Sequence, residues 1–168
     1  MRGRAKMSAE VTVLPQRSER GLVLDDYLPY RLSVASNAVS RLISRAYEDR
    51  FGLSIPQWRL IAVLAQDGAL TPGAIVARTA MDKVTVSRAA QGLIKRRLVA
   101  RLAHEADGRS HHLSLTAEGV RLHGDVAPLA LAYEAAVLSG LAPGEVTTLK
   151  LLLTRLEAAA VRLSGERG

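Results

Sequence analysis

Apolar residues recur at helical spacing along most of this chain. Leu28, Leu32, Ala35, Val39, Leu42, Ile43 and Ala46 stand one, three or four residues apart, which aligns them on one face of a helix with about 3.6 residues per turn. Asp26 and Pro29 mark its start and Gly52 its end. A short second helix follows. Ser54 with Gln57 three residues on has the form of a capping box, Pro56 fits a first turn, and Trp58, Ile61, Ala62 and Leu64 form the stripe before Asp67-Gly68 closes it. Thr71-Pro72 then opens a helix of barely two turns through Ile75, Val76 and Thr79. After a tight turn at Ala80-Met81, a helix from Asp82 to about Arg96 puts Val86, Ala89, Ala90 and Leu93 on one face.

The period then changes. Leu98 to Ala103 and His111 to Leu115 read as short strands around Glu105-Ala106-Asp107-Gly108-Arg109, a charged tip with a turn-forming Asp-Gly. Thr116, with Glu118 in the first turn, opens a long helix through Leu122, Val126, Leu129, Leu131, Ala135 and Leu138; Pro128 predicts a kink and Gly140 a stop. The last helix, Pro143 to Leu163, carries Val146, Leu149, Leu152, Leu153, Leu156 and Ala159. That stripe is wider than so short a chain can cover by itself, and a second subunit is the expected cover. Residues 1–24 show no sustained period and read as a mobile arm.

Length and composition narrow the classes. At 168 residues, 48% apolar, the chain suits one domain with a modest core. Without cysteine it has no disulfide, no thiolate metal site and no thiol-based redox sensing. Its longest apolar runs reach about six residues, against the roughly 18 of a membrane span, and basic Met1–Lys6 leads into Ser-Ala-Glu instead of an apolar signal core. A cytoplasmic protein with no membrane partner is expected. No Gly-rich phosphate loop, paired carboxylates or nucleophile motif is present, so neither an enzyme nor a cofactor is expected. His104, His111, His112 and His123 invite a metal reading, but adjacent strand residues His111 and His112 point to opposite faces, and no metal site is assigned.

Charge is more telling in its distribution than in its total. Of the net +7, six charges fall between residues 71 and 101, where Arg78, Lys83, Arg88, Lys95, Arg96, Arg97 and Arg101 face the single acid Asp82. A solvated helix face accounts for such a run, and so does a phosphate-contacting surface. Two short helices with a tight turn, the second presenting Thr85, Ser87, Arg88 and Gln91, fit a helix-turn-helix entering a major groove, or an ordinary helical hairpin. The predicted β-hairpin behind them makes a wing.

This order of elements, with Met81-Asp82-Lys83-Val84-Thr85-Val86-Ser87-Arg88, Leu93, Leu98-Val99-x-Arg101, Asp107-x-Arg109 and Leu113-x-Leu115-Thr116-x-x-Gly119, resembles the MarR family of bacterial transcription regulators. Gln57-Trp58-Arg59 with Leu60 and Leu64 is similar to the family too, and the resemblance spans about Asp25 to Leu163. It implies a mainly α fold, a winged helix-turn-helix with a helical dimerisation region in the order α1-α2-α3-α4-β-wing-α5-α6. Residues 25–53 and 116–163 would form the dimerisation region and 54–115 the DNA-binding lobe. The implied partners are a second copy of the chain and double-stranded DNA with a near-palindromic site.

On that resemblance Thr85, Ser87, Arg88 and Gln91 reach bases or adjacent phosphates, and Thr71, Lys83 and Lys95 mainly phosphates. Arg109 reaches the minor groove, oriented by Asp107, and Ser110 contacts backbone near the wing. Arg88 has a competing role in an intramolecular carboxylate pair. Arg96, Arg97 and Arg101 are read as favouring the helix dipole or covering the wing. The resemblance also implies a repressor released by a small aromatic or anionic effector, for which Tyr30, Arg31, Tyr47, Trp58 and Arg59 offer rings and cations. The alternative is a winged-helix module that binds protein, or DNA without sequence preference. Three positions depart from expectation: Arg97 where the family usually has Gly, Gly92 inside the recognition helix, read as letting it adjust on DNA, and Pro128.

Overall fold

Six helices and one two-stranded sheet form among the residues described by the computed structural model, 21–103 and 111–165. They are α1 (Leu28–Phe51), α2 (Ile55–Asp67), α3 (Pro72–Thr79), α4 (Lys83–Lys95), β1 (Val99–Ala103), β2 (His111–Leu115), α5 (Ala117–Leu138) and α6 (Pro143–Gly165). The order is that of the winged helix-turn-helix implied by the family resemblance. The wing tip, with the expected sites Arg109 and Ser110 and the supporting Asp107, lies outside the described residues, as does most of the N-terminal arm.

Contacts divide the chain into two units at Ser36/Asn37, inside α1. In the first, Asp26 lies in a turn ahead of the helix and its N–H donates to Val23 O at 3.1 Å; Tyr27 O accepts the N–H of Arg31. Leu22, Val23, Leu24, Leu28 and Leu32 in this unit are exposed.

The core lies in the second unit. α2 supplies Leu60, Ile61 and Leu64, α4 supplies Val86, Ala89, Ala90 and Leu93, and Tyr47, Leu53, Ile75, Met81, Leu98, Val99, Leu113 and Val126 complete it. Local chemistry starts α2, α3 and α5. Gln57 Oε1 accepts the Ser54 N–H at 3.0 Å, Thr71 Oγ1 accepts from Ala74 N at 3.2 Å, and Thr116 Oγ1 from Gly119 N at 3.1 Å. Each satisfies one of the donors left orphaned in a first helical turn. α5 continues through Pro128 as one helix. The residue four positions earlier, whose carbonyl loses its helical partner, is the exposed Gly124.

The sheet pairs Val99 with Leu115, Arg101 with Leu113 and Ala103 with His111. A bridge adds Leu70, whose N–H donates to Leu113 O at 3.0 Å while its carbonyl accepts from Leu113 N at 2.8 Å. Because Leu70 immediately precedes the α3 cap, this bridge ties the start of the helix-turn-helix to the wing.

Arg97 resolves one departure. The Leu98 N–H donates to Leu93 O and the Arg97 N–H to Ile94 O, both at 2.9 Å, so α4 ends in a Schellman motif with Arg97 left-handed at φ 59. The helix ends as a glycine would end it, with a side chain where none is favoured. We expect Arg97→Gly to raise stability by about 1 kcal/mol, seen as a higher urea midpoint at unchanged m-value; a lower midpoint would contradict this geometry.

Candidate nucleic-acid interface

α4 turns one face to the core and the other to solvent. Its exposed side chains are Lys83, Val84, Ser87, Arg88, Gln91 and Lys95. Asp82 caps the helix, its Oδ1 accepting from Thr85 N at 2.8 Å and its Oδ2 from the Thr85 hydroxyl at 2.6 Å. These bonds, the hydroxyl's first and the backbone's second, hold the Asp82 carboxyl below the usual carboxylate range. Thr85 therefore spends its hydroxyl proton on the cap and is half-buried. Gln91 Nε2 reaches Ser87 Oγ at 3.4 Å, one turn back.

The basic cluster separates into two sets. Arg78 pairs with Asp67 at 2.9 Å and so joins α3 to α2. Arg96 sends Nη2 to Phe51 O at 2.7 Å and Nη1 to Gly52 O at 2.9 Å, neutralising the carbonyl end of α1. Lys83, Arg88, Lys95 and Arg101 form no ion pair among the described residues, where the pairs are Arg78–Asp67 and Arg121–Glu118. Arg88 thus has no carboxylate brace among them. Arg101 belongs with this second set because β1 carries it to a cleft of ≈ 300 Å³ also lined by Pro72, Gly73, Lys83, Ser87 and His111. The cleft is walled by α3, α4 and the sheet, with Val76, Val86 and Leu113 as its apolar floor. Strand alternation could have found Arg101, since Val99 two residues before it is buried.

Gly92 is half-buried against α2. A Cβ there would sit 2.6 Å from Gln57 Nε2, so the missing side chain lets α4 approach the capped start of α2.

The effector candidates separate as well. Tyr30 is exposed, and Arg31 Nη1 reaches Asp25 O at 3.4 Å, both within the first unit. In the second, Tyr47 is buried with its ring centroid 5.7 Å from that of Trp58. Burial pushes the Tyr47 phenol up, Arg59 opposes the shift and Glu48 adds to it. Trp58 stacks on His123 of α5 at 5.6 Å and 16°, a pairing that sequence spacing did not bring together. The exposed Arg59 donates to Ser40 Oγ at 3.3 Å. No cluster of three or more His, Asp or Glu suited to a metal occurs among the described residues.

Comparison with known proteins is consistent in kind. The MarR family profile matches residues 51–110. A probable transcriptional regulator from Pseudomonas aeruginosa is 29% identical, with 80% of this chain and 99% of that one aligned at a TM-score of 0.71. A MarR/EmrR family transcriptional regulator from Acinetobacter sp. ADP1 is 24% identical over 84% of this chain and 99% of its own, at a TM-score of 0.78. BpsR of Bordetella bronchiseptica, whose DNA binding is regulated by 6-hydroxynicotinic acid, is 24% identical over 82% and 97%, at 0.74. No curated protein matches the sequence.

Proposed function

We propose that this chain is a MarR-family winged-helix transcription regulator rather than an enzyme, a homodimeric repressor of a near-palindromic DNA site, released by a small aromatic acid. The cations Lys83, Arg88, Lys95 and Arg101, which form no ion pair among the described residues, lie around the solvent face of α4 and carry the DNA reading. They supply the phosphate attraction, and Ser87, Arg88 and Gln91 the groups that distinguish base edges. Thr71 and Lys83 suit phosphates, and Thr85 keeps only acceptor capacity. Arg109 and Ser110 keep their wing roles on sequence grounds alone.

The dimer reading draws on α6, which buries no residue and exposes Leu149, Leu152, Leu153 and Leu156. Residues 25–53 and 116–163 are the proposed dimerisation region and 54–115 the proposed DNA-binding lobe. Trp58 and Arg59 support an aromatic-acid effector, one as a ring to stack on and the other as an exposed guanidinium for a carboxylate; regulation of BpsR by an aromatic acid supports the same class.

Selection of bound sequences from random genomic fragments, followed by affinity measurement over a salt series, tests the reading. A specific dimer enriches an inverted repeat with half-site centres about 34–36 Å apart and binds more weakly as salt rises. Enrichment of no motif would reduce the protein to a nonspecific or protein-binding winged helix. Unchanged affinity across a broad panel of aromatic acids would remove the effector.

A further inference from the structure

We propose that Val84 reads the methyl group of a thymine in the major groove. The inference rests on the DNA-binding reading above and adds to it a base and an atom.

Exposed large apolar side chains occur on residues 22–42 and on α5 and α6, but within the lobe from Ser54 to Leu115 only Val84 and Leu102 are exposed among the described residues. Val84 is 57% exposed. It is the second residue of α4, with Lys83 before it and Ser87 and Arg88 three and four positions on. Those spacings put all of them on one side of the helix. In a helix lying in the major groove, the first turn is the part that reaches base edges.

Nothing among the described residues explains a valine there. Asp82 and Thr85 already cap the helix. Val is a weaker helix former than Ala, and it is not part of the buried face of Val86, Ala89, Ala90 and Leu93. An isopropyl group has no hydrogen bond to offer a phosphate or an amide edge. The thymine C5 methyl is the apolar group that a base pair presents in the major groove. Valine suits it further because β-branching leaves essentially one side-chain rotamer in a helix, so little freedom is lost on contact. Lys83 and Arg88 on the same side hold the helix against the duplex.

The test uses the full chain and its selected operator, with each thymine replaced in turn by deoxyuridine, which removes the methyl and preserves base pairing. At one thymine per half-site the replacement is expected to weaken wild-type binding about fourfold, the worth of one buried carbon. Val84→Ala, which removes the contact in both half-sites of the dimer, should bind the dT and dU duplexes equally, and about as tightly as wild type binds a duplex carrying dU at that thymine in both half-sites, closing a double-mutant cycle. A loss on dU that persists in Val84→Ala would overturn the assignment. A scan flat at every thymine, with sequence-specific binding intact, would also overturn it and leave the regulator reading standing. Absence of any sequence-specific binding would sink both.

Discussion

Gly119→Ala is expected to unfold the winged helix at ordinary temperatures, or to cost it roughly 3 kcal/mol or more. Gly119 sits one turn into α5 and is buried. A Cβ there would fall inside the van der Waals surface of the Leu98 carbonyl oxygen, with the Leu98 carbonyl carbon at 3.1 Å and Leu115 Cδ2 at 3.2 Å. The obstacle is backbone, which cannot swing aside. Leu98 O is also held from the other side of the turn, where it accepts the Thr116 N–H at 3.1 Å, while Thr116 Oγ1 donates to Arg97 O at 2.7 Å. Relieving the clash therefore means pulling α5 away from the junction of α4 and the wing. Gly124, in the same helix, has nothing within 4 Å of its Cβ position, so Gly124→Ala should be neutral or stabilising by up to ~1 kcal/mol. Urea denaturation of both variants checks the contrast. Equal midpoints would mean that the close approach is not real.

Much of this is legible in the sequence because it is local. Thr71, Asp82 and Thr116 cap their helices from within three residues, and the change from helical to alternating period locates the wing. The Thr116-x-x-Gly119 spacing is also visible, but the reason for it is not, since Leu98 lies 21 residues away. Leu70 escapes a reading by pattern because a single bridge residue has no period. Arg96 does serve a helix dipole, as its place in the sequence suggests, but at the end of α1, 44 residues upstream. Charge counting likewise treats seven basic residues as one feature. The structure gives Arg78 and Arg96 to internal contacts, puts Arg97 in a strained turn and leaves four cations at the proposed interface.

The neighbouring cations of α4 should then fail in different ways when removed. On the proposed reading, Arg88→Ala loses about 1–3 kcal/mol of discrimination per half-site, roughly 5- to 150-fold, because a guanidinium that reads a guanine bidentately has no substitute. The loss should be largest on the preferred operator and small on unrelated DNA. Lys95→Ala should weaken binding to all sequences alike and lower the slope of log affinity against log salt by about 0.9 for each phosphate that the lysine no longer neutralises. Arg96→Ala removes two hydrogen bonds to the end of α1 but touches no proposed phosphate site. It should lower the urea midpoint and leave the salt slope unchanged. Affinities over a salt series on operator and unrelated duplexes, with denaturation of each variant, separate the three. If Arg96→Ala shifted the slope as Lys95→Ala does, its guanidinium would be on DNA and not on α1. If Arg88→Ala weakened operator and unrelated DNA equally, base reading would fall to Ser87 and Gln91, with Arg88 left to bind phosphate.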